Sequence, residues 1–210
     1  KLYVIGEHKK IEVFFKRLGK FQDRIKNPLI IGGGRITHYL VNIIDSLRVT
    51  SKIIELDLDK CIELNETLPE AIVINGDGTD HELLLSENLQ EADAFIALTG
   101  RDEENVLTSL FAINNNVKNV ITKVTRFNYN VIAKNVGIDT IISPKAITAN
   151  KILKYIRFLK NKKKCCIENI YKIFDEQAEA IEFLVREDVK FLNRKLKDIN
   201  IINDIIIATI

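Results

Sequence analysis

Leu29-Ile-Ile-Gly-Gly-Gly-Arg-Ile-Thr37 runs an apolar stretch straight into three glycines, and Glu55 follows Gly34 by 21 positions. The chemistry this pattern offers is dinucleotide binding. Gly32 lets the chain turn sharply. Gly34 has no Cβ, so a pyrophosphate can approach the backbone, and a helix opening near Arg35 aims unpaired N–H groups and its positive dipole end at that phosphate. Arg35 either donates to phosphate or faces solvent. Glu55 is spaced to accept hydrogen bonds from ribose hydroxyls. Its charge opposes a 2′-phosphate, and no lysine or arginine stands at 56–58 to offset it, so NAD(H) or an adenosine nucleotide is expected over NADP. Asp57 is second choice for this role and can equally cap the next helix. Thr37 stands where such turns usually carry a third glycine. Its side chain must be housed between helix and strand, which predicts a helix set slightly outward and a looser grip on phosphate.

Two further loops bear polar groups. In Asn75-Gly-Asp-Gly-Thr-Asp80, Asp77 and Thr79 either satisfy the N–H groups of a following helix or edge an adenine pocket. In Leu98-Thr-Gly-Arg-Asp-Glu-Glu-Asn105, Thr99 and Gly100 are placed to line the distal phosphate or ribose. Glu103 and Glu104 fit the first turn of a helix on dipole grounds alone. Arg126 is a further phosphate donor or a plain surface arginine. Groups for catalysis are scarce: His8, His38 and His81 have no nucleophile or metal partner in the sequence, so no catalytic residue and no metal site is expected. Nucleotide binding without a catalytic group points to a sensor rather than an enzyme.

These loops need strands and helices to hold them. β-Branched, apolar runs at 29–32, 52–56, 71–75, 94–98, 119–124 and 139–143 read as parallel strands buried on both faces. Helical stretches near 35–48, 58–68, 80–86, 103–114 and 128–136 alternate with them, so the fold class is a doubly wound α/β sheet, a Rossmann domain. A strand at 2–5 and a helix at 10–18 precede it, and Lys-Asn-Pro at 26–28 marks the boundary. A long helix over 145–160 follows Pro144 and ends in a basic turn that doubles as a linker. After it, strands at 166–173, 179–185 and 204–210 and a helix near 192–198 predict a small α+β unit. The division is thus 1–26, 27–160 and 165–210.

Composition excludes several classes. With 210 residues, 31 basic and 29 acidic side chains and a net charge of +2, the balance gives no electrostatic case for nucleic acid, which usually needs a concentrated basic face. No apolar run approaches the roughly 18 residues a membrane-spanning helix needs. Cys61, Cys165 and Cys166 fit neither a disulfide framework nor a zinc site, which favours a reducing, intracellular setting. The absence of methionine and the apolar finish Asp204-Ile-Ile-Ile-Ala-Thr-Ile210 read as the ends of a cut chain.

The motifs Gly-Gly-Gly-Arg-Ile (32–36), Lys-Ile-Ile-Glu (52–55), Val-Ile-Asn-Gly-Asp-Gly-Thr-Asp (73–80), Ala-Asp-Ala-Phe-Ile-Ala-Leu-Thr-Gly (92–100), Asp-Glu-Glu-Asn (102–105) and Ile-Ser-Pro-Lys (142–145) together resemble the TrkA-type regulatory subunits of Trk potassium transporters. These are built from regulator-of-potassium-conductance (RCK) domains. The resemblance is strong over 27–160, and 165–210 is similar to the first part of the family's C-terminal domain. Residues 1–26 are similar to the tail of a preceding repeat, which makes this the second of two repeats. It implies a cytosolic regulatory protein, peripheral to the inner face of the cell membrane. Such a protein binds NAD, NADH or ATP/ADP, self-associates as a dimer or ring, and gates potassium uptake through a membrane transporter subunit. It further implies that Gly32, Gly33, Gly34, Arg35 and Ile36 hold the phosphates, Glu55 the ribose, and Asp77 and Thr79 the adenine edge. Thr99, Gly100, Glu104 and Arg126 would face the distal half. The rival is an NAD-dependent oxidoreductase fragment whose catalytic domain lies outside this chain.

Overall fold

The computed structural model describes residues 4, 6–19, 25–138, 140–161, 167–173, 178–183 and 207. Except for Val4 and Ile207, the strands expected at 2–5 and 204–210 and the helix near 192–198 lie outside these residues. The chain divides into two compact units, 1–144 and 145–210.

The first unit opens with helix α1 (His8–Arg17) and then alternates strictly: β1 (Pro28–Ile31), α2 (Arg35–Asp45), β2 (Lys52–Glu55), α3 (Leu58–Thr67), β3 (Ile72–Asn75), α4 (His81–Ser86), a 3₁₀ turn at Leu89–Glu91, β4 (Ala94–Ala97), α5 (Asp102–Asn114), β5 (Asn119–Lys123), α6 (Phe127–Asn135) and β6 (Thr140–Ile142). The six strands form one sheet in the order β3-β2-β1-β4-β5-β6, and every pairing is parallel. This is the doubly wound arrangement that the strand–helix alternation requires.

The central strands bury side chains on both faces because successive residues point to opposite sides, whereas the edge strands β3 and β6 contribute no fully buried residue. Ile30, Ile53, Ile96 and Leu98 pack under Val41, Leu64 and Leu68 on one face. Leu29, Ile31, Ile54, Phe95 and Ala97 pack under Leu84, Leu89 and Ala112 on the other. Burying each such aliphatic side chain is worth about 1.5–3 kcal/mol, and the central strand β1 has no residue facing water. A third cluster, Val106, Val124, Ala133 and Ile138, seats α6 at the β6 end.

The second unit begins with α7 (Pro144–Asn161), whose proline occupies the helix position where a missing N–H costs nothing. Ile147, Ile152, Leu153 and Ile156 on it are exposed. It continues with an antiparallel pair, β7 (Ile167–Ile173) and β8 (Ala178–Phe183), in which Ile170 faces Ile181 and the register is irregular between Ile167 and Asn169.

Candidate functional site

β1 and β4 lie side by side and parallel, with Ile31 level with Ala97. The chain leaves β1 into α2, which packs on one face through Val41, and leaves β4 into α5, which packs on the other through Ala112. The two exits diverge, so a crevice opens at the carboxyl ends of the central strands. The glycine turn and the loops at 75–80 and 98–105 all lie at this edge of the sheet.

Gly32 sits at φ +92°, and a Cβ there would meet the backbone of Leu98 and Thr99 at 2.9–3.1 Å. The first and fourth strand exits therefore touch backbone to backbone. The Gly32 N–H donates to the Ile54 carbonyl at 2.8 Å, continuing the β1–β2 ladder by one residue. Thr37 is fully buried, and its hydroxyl donates back to the Gly32 carbonyl at 2.5 Å. The side chain that sequence alone treats as an intruder is thus housed, and it stitches the first turn of α2 onto the glycine turn. Gly34 caps α2 without any side-chain hydrogen bond, and a Cβ on it would meet nothing within 4 Å. Gly34, Arg35 and Ile36 are all exposed. The start of α2 therefore presents N–H groups, the positive dipole end and a guanidinium to open space, as an anion site requires.

Glu55 ends β2 with its carboxylate fixed. Oε2 accepts from the Gly33 N–H at 2.5 Å, and Oε1 accepts from the Asp57 N–H at 3.0 Å. This locks the acid against the glycine turn, the position a ribose-binding carboxylate needs. Asp57 resolves to a helix cap, accepting from the N–H groups of Asp59 and Lys60. The Asn75 amide donates to the carbonyls of Glu55 and Leu56 and so ties the third strand exit to the second. Beneath it the Cys61 thiol is buried and pushed up in pKa, chiefly by desolvation.

The loop after β3 bends back over the sheet. Gly78 is buried against Ile31 of β1, so closely that a Cβ would overlap the isoleucine side chain. This brings Asp77 and Thr79 beside the glycine turn. Asp77 does not cap α4; Asp80 does, accepting from the Glu82 N–H. Asp77 Oδ1 instead accepts from both the N–H and the hydroxyl of Thr79 at 2.8 Å. Those two bonds hold its carboxyl below the usual carboxylate range, with a smaller contribution from the Arg101 guanidinium.

The distal wall is organised by residues that sequence reasoning did not single out. Asn105, fully buried, accepts from the N–H and hydroxyl of Thr99 and donates to the carbonyls of Thr99 and Lys123. Asp102, 4% exposed, accepts from the N–H groups of Thr125 and Arg126 at 2.8 Å. One turn of α5 therefore grips both the β4 and β5 exits. Thr99 spends its hydroxyl on this scaffold. Lys123 donates from Nζ to the Leu98 carbonyl at 3.0 Å, and burial pushes its pKa down. Glu104 pairs with Arg101 at 2.8 Å. Arg126 lies with its guanidinium on Glu103 at 3.1 Å, and the Tyr129 hydroxyl donates to the same carboxylate oxygen. Replacing Asn105 with Asp keeps the acceptor but removes both donors. The expected result is a loss of about 2 kcal/mol in unfolding free energy, read by denaturant titration.

Among the described residues no group of three or more His, Cys, Asp or Glu is placed to hold a metal, and no helix is long and apolar enough to cross a membrane. His81 stacks flat on Phe111, and His38 lies 3.2 Å from the Asn42 amide.

The described TrkA-N domain family model matches residues 29–144. A Trk system potassium uptake protein TrkA homolog 2 from Methanosarcina mazei is 37% identical over 190 residues, covering 90% of this chain and 40% of that protein. Among solved structures, the TrkA-N domain of the inner membrane protein ybaL from Escherichia coli has a TM-score of 0.57 at 17% identity, over 64% of this chain and 99% of that one. A GsuK channel bound to NAD has a TM-score of 0.52 at 18% identity, over 79% of this chain and 30% of that one. The chain spans less than half the length of the curated relatives it matches, and at these identities the structural likeness speaks for the fold.

Proposed function

This chain belongs to the TrkA-N domain family, and on that premise we propose that it is the nucleotide-sensing part of a regulatory protein that gates potassium uptake through a membrane Trk-type transporter. The observation that carries the nucleotide reading is the convergence of an uncapped helix start, a fixed Glu55 and the Asp77 loop on one crevice. The phosphates lie against Gly32, Gly33, Gly34, Arg35 and Ile36. The adenosine ribose lies against Glu55 and the adenine edge against Asp77 and Thr79. Thr99, Gly100, Glu104 and Arg126 face the distal half. The ligand is NAD, NADH or ATP/ADP. The protein works on the cytoplasmic side, peripheral to the inner membrane face, as a dimer or ring of such domains beneath the transporter subunit.

Gating follows from differential binding. A nucleotide bridges the adenosine wall and the distal wall, and ligands with different phosphate counts favour different crevice widths. Only a difference in affinity between two widths can shift the population between them. Calorimetry with NADH, NAD, ATP and ADP tests the reading, which requires at least one dissociation constant below the millimolar range. Glu55→Gln sharpens it. The amide oxygen still accepts the Gly33 N–H and only the exposed Asp57 N–H loses its acceptor to water, so the melting temperature without nucleotide falls little. One ribose acceptor and the charge are lost, so NAD binding weakens about tenfold while discrimination against NADP relaxes. A variant that melts far lower and binds NAD unchanged would make Glu55 structural.

A further inference from the structure

Arg101 lies on the loop after β4, on the distal side of the crevice, as the N-cap of α5. It follows Thr99, whose backbone touches the Gly32 position, by two residues, and Gly100 between them is exposed with nothing packed on its Cβ direction. The Thr99 hydroxyl bonds both the N–H and the carbonyl of Arg101 at 3.2 Å, so the backbone at 101 is fixed while its side chain, 74% exposed, is free to swing. The guanidinium pairs with Glu104 at 2.8 Å. Its charge also makes the smallest contribution to the lowered pKa of the Asp77 carboxyl. Arg101 is therefore an arginine at the mouth of an anion site, held by a carboxylate on its own side.

Charge explains why it is wanted there. The adenosine side already carries the carboxylates of Glu55 and Asp77, so each phosphate added beyond the first meets repulsion from that side. Arg35 and the N-terminus of α2 offset part of that charge at the glycine turn, and Arg101 is placed to add a second guanidinium from the distal side, where it matches phosphate oxygens better than an ammonium does. We propose that Arg101 counts phosphates: it leaves Glu104 for the phosphates beyond the first of an adenine nucleotide, so that Glu104 is a competitor that sets how many phosphates are needed to draw it away. With its arginine largely exposed and only its carboxylate half-buried, such a pair is weak enough for this exchange. The inference rests on the nucleotide reading above and adds to it a residue and a preference.

The test is calorimetry of ATP and AMP on the parent chain, Arg101→Gln and Glu104→Gln. The ratio of ATP to AMP affinity is expected to fall about tenfold in R101Q, which removes a charge-assisted contact. It is expected to rise about threefold in E104Q, where the competitor is gone. A purely structural ion pair predicts the same change for both nucleotides, because it does not touch the added phosphates. A ratio that stays constant, or that moves the same way in both variants, overturns the inference while AMP binding keeps the nucleotide reading intact. Failure of AMP and ATP alike to bind the parent chain below the millimolar range overturns both.

Discussion

Gly32→Ala is expected to lower the unfolding free energy by about 3 kcal/mol, through strain at a left-handed backbone angle and overpacking. The two costs are separate. At φ +92° an L-side chain is unfavourable whatever surrounds it, and here the added methyl meets main-chain atoms of Leu98 and Thr99 at 2.9–3.1 Å. Main chain cannot rotate away as a flexible side-chain tip can. The two central strand exits must spread, and with them the bond from the Thr37 hydroxyl to the Gly32 carbonyl. In a unit of this size the shift should reach roughly 10 °C in melting temperature. A change below about 2 °C in a thermal melt would mean that the β1 and β4 exits do not touch.

Gly34→Ala is expected to do the reverse: little change in stability and a loss of nucleotide affinity of about a hundredfold. Gly34 has φ −77°, which any residue adopts, and its Cβ direction is empty to 4 Å. Only the change from glycine to alanine at a helix cap weighs on stability, by less than about 1 kcal/mol. The same empty space is where a phosphate must come to reach the N–H groups of α2. A methyl group there holds the phosphate off the backbone and removes charge-assisted bonds. Calorimetry with NAD or ADP reads the affinity and a thermal melt the stability. Unchanged affinity would place the phosphates elsewhere along the crevice.

The strands were legible because their residues are apolar on nearly every position, which only a sheet buried on both faces explains. The reading of 29–32 became Pro28–Ile31, and that of 71–75 became Ile72–Asn75, a matter of single residues at the ends. Glu55 was legible for a similar reason, since its distance from the glycines is set by one helix and one strand. Asp102 and Asn105 were not. In an acidic first turn Asp102 has a sufficient dipole explanation, and its true partners, Thr125 and Arg126, lie 23 and 24 residues away. A signal was nonetheless present: 102, 105, 109 and 112 form one buried helical stripe, and three of the four, Asp102, Asn105 and Ser109, are polar groups that demand partners. The pairing of Arg126 with Glu103 was hidden by the same separation in sequence. Thr37 is housed as its position demands, and what volume alone did not show is that its hydroxyl bonds the Gly32 carbonyl.

The grip of Asp102 and Asn105 has a mechanical consequence. The backbone at Thr99, Lys123, Thr125 and Arg126 is fastened to a single helical turn, so the distal wall is not a set of loops but the head of a rod. That rod is α5, 13 residues and about 20 Å long. It runs back along the sheet to Asn114, at the edge opposite the crevice. A push of a fraction of an ångström on the head arrives at the tail almost undiminished, because a helix is stiff along its axis. A nucleotide at the proposed site and whatever touches the far edge of the sheet would thereby sit at the two ends of one strut.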